Sequence, residues 1–171
     1  PDGTKGWLNS GSSLKYNMPF GNHRTTTLIG EAWFNVAHDP EHPFEIVAGE
    51  SKIKVLGTKF NISTYPDENY QEVVLEEGKV EFITSGLSAG IQINPNERLQ
   101  LSSGAINISK IDAKKYSGWK EGKLIFRGDS MEEVAKRIGR WYNVSVEVMD
   151  KDLKDYTFRG IFEDDSLEEV V

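Results

Sequence analysis

Two histidines close together are the first residues in this 171-residue sequence that could support chemistry. His38 and His42 flank Asp39 and Glu41, and all four side chains are of types that bind metal ions. Two prolines within residues 38–43 favour a loop over a helix face, and no third ligand is evident nearby. We therefore interpret the segment as a polar turn between strands and predict no metal or other cofactor.

Paired carboxylates would point to a hydrolase, which needs two of them facing each other about 5 to 10 Å apart. Most acidic residues here fall in turns or in first helical turns, where a negative charge is favoured by the helix dipole. We prefer that structural interpretation and predict a protein that is not an enzyme, with a hydrolase as one alternative. The acidic residues considered are Glu76, Glu77, Asp129, Glu132, Glu133, Asp164 and Asp165.

The dipeptide Gly57-Thr58 offers a different chemistry, self-cleavage by an N→O acyl shift. The Thr58 hydroxyl would attack the Gly57 carbonyl carbon, and water would open the resulting ester. This reaction needs a distorted peptide and an exposed nucleophile. The ordinary interpretation is a glycine bend between two strands, and the dipeptide alone favours it.

Aromatic side chains could form a platform for a sugar, which makes a secreted carbohydrate-binding β-module a second alternative. In a small β-domain such residues more often pack in the core. The aromatic residues considered are Trp7, Trp33, Trp119, Trp141, Tyr16 and Tyr142.

Composition and charge exclude several partners. The net charge is −7, and the 20 Lys and Arg residues are scattered rather than clustered. Binding to nucleic acid or to an anionic membrane needs a concentrated basic surface, so neither is predicted. The chain has no cysteine, and it contains no apolar run of the length that a transmembrane helix requires.

The predicted secondary structure differs between the two parts of the chain. Residues 1–115 contain short runs rich in Val, Ile, Phe and Thr, about ten residues apart and separated by Gly, Pro, Asn and Asp. This pattern predicts an antiparallel β-sandwich, a roll or a β-solenoid-like stack. The predicted strands span 25–37, 43–48, 51–57, 59–65, 71–77, 79–85, 90–93, 98–101 and 105–111.

Residues 116–171 predict a smaller domain in which strands alternate with helices. A strand at 123–126 precedes apolar residues at helical spacing from Met131 to Tyr142, and Ser130 with Glu133 forms a capping box. Further strands are predicted at 143–149 and 156–162. Ser166 and Glu169 repeat the capping box.

The predicted fold class is therefore mainly β plus α+β, with a β-α-β repeat that stops early. The second helix has five residues after Ser166, and an isolated helix of that length is not stable. We expect the natural chain to continue beyond Val171. The start at Pro1 likewise indicates an excised piece of a longer protein.

Several specific stretches resemble the FecR-like anti-sigma factors of bacterial cell-surface signalling. They are "GEAWFNV", "HPFEI", "IKVLGTKFNIS" and "VVLEEGKVEF" within residues 30–82. Residues 119–171 resemble the C-terminal domain of Bacteroidetes-type members, which is similar to the short N-terminal domain of secretins and TonB-dependent transporters. One element departs from the family pattern, since "INPNE" at 93–97 replaces the usual "L.PGE".

This resemblance implies the periplasmic, signal-receiving part of a single-pass inner-membrane protein. The implied partners are the N-terminal signalling domain of a TonB-dependent transporter and, through a cytoplasmic segment, an extracytoplasmic-function sigma factor. Some relatives cleave themselves at the position of Gly57 and Thr58. For partner binding we predict Arg137, Arg140, Trp141 and Tyr142, because Arg and large aromatics are the usual anchors of interfaces. A third alternative is a structural envelope protein without any transporter partner.

Overall fold

The computed structural model describes residues 2–17, 24–150, 152–153, 156–163 and 165–170. The chain divides into two compact units, Pro1–Lys114 and Lys115–Val171. Strands make up the regular structure of the first unit up to residue 110, whereas the second combines a strand pair with helices. The predicted fold class, mainly β plus α+β, is confirmed.

The first unit is a single sheet of eleven strands, as far as the described residues show. Its order is β11-β10-β7-β6-β3-β4-β5-β8-β9, and β1 and β2 add to β3. The end strand β9 approaches β10, the strand next to the opposite end, so the sheet nearly closes into a roll. The strands are β1 (Lys5–Leu8), β2 (Ser13–Tyr16), β3 (Arg24–Asn35), β4 (Phe44–Ala48), β5 (Ser51–Val55), β6 (Lys59–Thr64), β7 (Tyr70–Glu77), β8 (Val80–Thr84), β9 (Ile91–Ile93), β10 (Glu97–Ser102) and β11 (Ala105–Lys110).

The core of the roll follows from the period of two along each strand. In β4 and β5 every second side chain is buried and the residues between are half-exposed. Phe34, Phe44 and Phe60 meet at the centre, with ring centroids 5.6 and 5.8 Å apart. Aromatic burial of this kind supplies much of the hydrophobic stabilisation of a small domain.

The nine strands predicted in this unit are confirmed, with ends shifted by one or two residues. Two features were not predicted. The short strands β1 and β2 pair with β3 although their sequences, KGWL and SLKY, carry little apolar pattern. In addition, β3 and β4 are parallel, so the sheet is not purely antiparallel.

A buried arginine holds the N-terminal segment against the roll. Arg24 is 3% exposed, and its guanidinium donates to the carbonyl oxygens of His42, Ala37 and Asp39. It also forms an ion pair with Asp2, with Nη1 2.9 Å from Oδ2. Burial alone would raise the pKa of Asp2, but hydrogen bonds from Arg24 and Thr4 outweigh burial and lower the pKa to about 2.

We expect the Asp2–Arg24 pair to contribute stability that depends on pH. The folded pKa of Asp2, about 2, lies below its ordinary value of 3.8, so the contribution is complete above pH 3.8 and is lost as pH falls towards 2. Urea unfolding measured at a series of pH values tests this. At neutral pH the free energy of unfolding of the Asp2→Asn variant should be lower than that of wild type by about 1 kcal/mol, a value that allows for solvent screening of the ion pair. The gap should close in acid, and a gap that stays constant with pH would contradict this assignment.

The second unit is built on two antiparallel strands and a capped helix. Strands β12 (Lys123–Ser130) and β13 (Thr157–Glu163) pair with each other, and α2 (Met131–Tyr142) follows β12 directly. The predicted capping box is confirmed, because Ser130 Oγ accepts from the Glu133 amide and Glu133 accepts from the Ser130 amide. The remaining helices are α1 (Lys114–Ser117), a 3₁₀ turn (Gly118–Glu121) and α3 (Leu167–Val170).

This unit has its own small core. Phe126 is fully buried at its centre, with the rings of Phe158 and Phe162 at 5.6 and 5.9 Å. Leu167 and Val170 of α3 pack on the same cluster.

The predicted strand at 143–149 is wrong. These residues have no strand partner within the part of the chain that the structure describes. Asn143 ends α2 in the left-handed conformation, and the Val144 amide donates to the Gly139 carbonyl. This cap turns the chain at the end of α2. The strand predicted at 156–162 is confirmed as β13.

Candidate functional site

The Gly57-Thr58 junction is closed on both sides. A Cβ atom on Gly57 would lie 2.6 Å from His38 Nδ1 and 2.7 Å from its Cα. On the other side, a Cβ on Gly78 would lie 2.7 Å from the Gly57 carbonyl oxygen. Thr58 is 3% exposed, and its hydroxyl donates to the Lys79 carbonyl at 2.9 Å. Self-cleavage would require this hydroxyl to be exposed and activated by a base. It is neither exposed nor hydrogen-bonded to a base.

From this geometry we expect the folded chain to stay intact at Gly57-Thr58. Mass spectrometry of the purified protein after prolonged incubation should show a single species of the full mass. Two fragments ending at Gly57 and beginning at Thr58 would contradict this expectation. The Thr58→Val variant, which cannot form the ester, is the control that separates self-cleavage from a contaminating protease.

The histidine-containing loop forms an ordinary polar turn. Asp39 accepts hydrogen bonds from the amides of Glu41 and His42, and its carboxylate lies 3.0 Å from His42 Nδ1. His38 packs on Gly57 instead. No group of three or more potential metal ligands occurs among the described residues.

Several of the carboxylates considered for hydrolysis form hydrogen bonds or ion pairs with neighbouring residues of the fold. Glu76 accepts from the Trp33 indole at 2.8 Å, and Glu77 pairs with Lys59 at 2.6 Å. Asp165 accepts from the Glu163 amide, and Asp164 lies outside the described residues. None of these contacts joins two carboxylates across a cleft.

The tryptophans of the first unit do not form a flat platform. Trp7 and Trp33 lie directly opposite each other on β1 and β3, with an interplanar angle of 73°. Trp33 is buried while Trp7 is partly exposed. Their edge-to-face packing fixes β1 to the roll, so these two rings form no flat surface on which a sugar could stack.

Arg137, predicted to bind a partner, is engaged inside the second unit. Its Nη1 lies 3.3 Å from Asp129 Oδ1, and its guanidinium lies 4.5 Å from the centre of the Phe126 ring. Asp129, which is 7% exposed, also pairs with Lys115 at 2.8 Å and accepts from the Arg127 amide. Arg137 therefore stabilises the position of α2 on the sheet.

The other predicted binding residues lie at the end of α2. Trp141 and Tyr142 are half-buried and pack against the core, and Arg140 is half-exposed beside them. The Tyr142 hydroxyl donates to the Asp165 carbonyl at 2.7 Å. Burial, followed by the charges of Asp165 and Glu169, raises the pKa of Tyr142.

A more exposed surface, not predicted from the sequence, lies on β13. Ile125 and Ile161 are directly opposite on β12 and β13, but the 3₁₀ turn covers Ile125 at Gly118. Ile161 stays 57% exposed. Arg127 and Arg159, also directly opposite each other, are exposed on the same face. We call Arg127, Arg159 and Ile161 the β13 face.

The β13 face could have been found from alternation. In "YTFRGIF" the residues Phe158 and Phe162 face the core, so Arg159 and Ile161 must face away from it.

The first unit is a nearly closed β-roll, and the second is a small α+β unit. The family described as "FecR protein" matches residues 1–81, and "FecR, C-terminal" matches residues 123–171. The chain belongs to the FecR family of anti-sigma factors.

Two crystal structures of Parabacteroides distasonis proteins, provisionally assigned as anti-sigma factors, are similar over 99% of this chain. One has a TM-score of 0.87 at 30% identity, with 81% of its own length covered. The other has a TM-score of 0.88 at 32% identity, with 80% covered. No curated protein matches the chain. The longest described helix, α2, has 12 residues, and none of the described helices could span a bilayer.

Proposed function

We propose that this chain is the periplasmic signal-receiving region of a single-pass inner-membrane anti-sigma factor. In this account the second unit binds the N-terminal signalling domain of a TonB-dependent outer-membrane transporter. A cytoplasmic segment outside these 171 residues then holds or releases an extracytoplasmic-function sigma factor. Membership of the FecR family supports the anti-sigma role, and the rest is our inference.

The docking proposal depends on one feature of the β12–β13 sheet, the edge of β13 that does not pair with β12. Among the described strands, β13 pairs with β12 on one edge, and no described strand lies on its other edge. An extended segment of a partner could add to that edge through main-chain hydrogen bonds. Ile161 would supply an apolar anchor at the centre, and Arg159 would favour an acidic partner surface.

The four residues of α2 that were predicted to bind a partner have two different roles in this proposal. Arg140 and Trp141, at the half-exposed end of α2, form a second part of the docking surface. Arg137 and Tyr142 act through their internal bonds to Asp129 and Asp165. Substituting either of them would change the shape of the unit rather than remove a direct contact.

The test is signalling in cells that carry the full-length protein and a reporter of the sigma factor. The Ile161→Glu variant should abolish induction by the transporter's substrate, because a charge would be buried against the partner. Ile108→Glu is the matched control, since Ile108 is an exposed strand isoleucine of the first unit, 43% exposed. Normal induction in the Ile161→Glu variant, at equal protein level, would overturn the proposed docking surface.

A further inference from the structure

The hydrogen bonds at one end of the β12–β13 pair indicate which main-chain groups of β13 face outwards. In an antiparallel pair, residues directly opposite each other alternate between those that exchange main-chain hydrogen bonds and those that do not. Glu163 lies opposite Lys123, and its amide donates instead to the Asp165 side chain, at 2.8 Å. This pair is therefore of the second kind, and the main-chain groups of Glu163 point away from β12.

The same arrangement holds four residues away, at the other end of the regular pairing. Arg127 lies directly opposite Arg159, and its amide donates to the Asp129 side chain at 2.6 Å. This pair is also of the second kind, as the alternation requires. Ile161 lies midway between the two ends and follows the same pattern. The amide and carbonyl groups of Arg159 and Ile161 therefore point to the edge of β13 that pairs with no described strand.

The side chains of the same two residues define what an added strand must carry. Arg159 and Ile161 project from the face opposite to Phe158 and Phe162, which pack in the core. Ile161 is 57% exposed, and Arg159 is exposed beside it. One residue of an added strand would lie opposite each of them, with Cβ atoms about 5 Å apart. An aliphatic residue there would bury Ile161, and an acidic residue would complement the charge of Arg159.

The charges around Arg159 favour an acidic residue over a basic one. Arg127 is exposed and lies opposite Arg159 in the kind of pair that brings side chains closest together. Glu163 projects from the same face, but its carboxylate is paired with Lys123 at 2.9 Å. A partner carboxylate opposite Arg159 would therefore be attracted by two positive charges, although the chain as a whole has a net charge of −7.

We propose that the partner of β13 is an extended segment with an acidic residue two positions away from a large aliphatic residue. The aliphatic residue would lie opposite Ile161 and the acidic residue opposite Arg159, in either direction of the added strand. The added hydrogen bonds would end at Glu163, whose amide is already bonded to Asp165. This inference rests on the proposed docking of the transporter's signalling domain at β13, and it adds the chemistry which that domain must present there.

Amide hydrogen exchange, measured residue by residue, tests the position of the added strand. The protein is the full-length chain, with and without the N-terminal signalling domain of a TonB-dependent transporter from the same organism. The amides of Arg159 and Ile161 should exchange rapidly in the free protein and about ten-fold more slowly, or slower still, in the complex. The amide of Gly160 is the internal control, because it points towards β12 and should change less.

Each other outcome of this experiment has a separate meaning. Binding without slower exchange at Arg159 and Ile161 would overturn the inference but not the transporter partner. Slow exchange of these amides in the free protein would also overturn it, because a segment of the chain itself or a second copy would then cover the edge. Absence of binding would contradict the proposed function, and the inference with it.

Charge variants test the chemistry of the partner segment. Arg159→Glu should raise the Kd for the signalling domain by about ten-fold or more, whereas Arg159→Lys keeps the charge and should raise it by less than about three-fold. The Arg159→Glu variant should fold normally, since the new carboxylate lies opposite Arg127. Lys15→Glu is the matched control, since Lys15 is an exposed strand lysine of the first unit. Equal binding by the Arg159→Glu and Lys15→Glu variants would show that no acidic residue of the partner lies at Arg159.

Discussion

The Asp129→Asn variant should destabilise the second unit by about 3 kcal/mol, the lower end of the range for breaking a buried ion pair. Asp129 is 7% exposed and pairs with both Lys115 and Arg137. Removing its charge would leave two partly buried cations without compensation. The Arg127 amide would also lose a charged acceptor at 2.6 Å.

Urea unfolding followed by the helical circular dichroism signal measures this effect, because the described helices lie from residue 114 onwards. Glu121→Gln is the matched control, since Glu121 forms an exposed pair with Lys120 at 2.6 Å. An exposed pair contributes about 0.5 kcal/mol or less. A loss of stability in the Asp129→Asn variant no greater than in that control would contradict the assigned role of the network.

The second large effect is expected for Gly78→Ala in the first unit. Gly78 has φ +94°, and an added Cβ would lie 2.7 Å from the Gly57 carbonyl oxygen and 3.1 Å from the Thr58 Cα. Backbone atoms cannot move aside as a flexible side chain can. We expect a loss of about 3 kcal/mol in the free energy of unfolding, from the strained φ and from overpacking together.

Gly104→Ala separates those two causes. Gly104 has φ +78°, but an added Cβ there would meet no atom within 4 Å. The control variant should therefore lose about 1 kcal/mol, the cost of the left-handed conformation alone. Equal losses in the two variants, measured by thermal and urea unfolding, would show that the close packing over Gly57 and Thr58 is not important for stability.

Local patterns in the sequence were sufficient to predict most of the secondary structure. The strand alternation of β4 and β5 and the capping box of α2 depend on residues within a few positions of each other. The same patterns do not identify partners far apart in sequence. The parallel pairing of β3 with β4 and the pairing of β1 with β3 both join residues about 20 to 30 positions apart in sequence.

The candidate binding residues show the same limit. Arg137 was predicted to face a partner because it lies on a helix with Trp141, but it is 26% exposed and pairs with Asp129 from the preceding strand. That contact depends on the β-bulge between Arg127 and Asp129, where Gly128 has φ +82°. Ile161 is 57% exposed because Phe158 and Phe162 of the same strand face the core, and the strand pattern alone does not identify the face that packs.

The most direct test of the proposed function is a binding titration with the N-terminal signalling domain of a TonB-dependent transporter from the same organism. The account predicts a Kd in the micromolar range or lower, weakening with added salt because Arg159 would favour an acidic partner surface. Ile161→Glu should abolish binding and Ile108→Glu should not. Absence of binding by the folded wild-type protein, or equal binding by both variants, would contradict the claim that this chain receives its signal through β13.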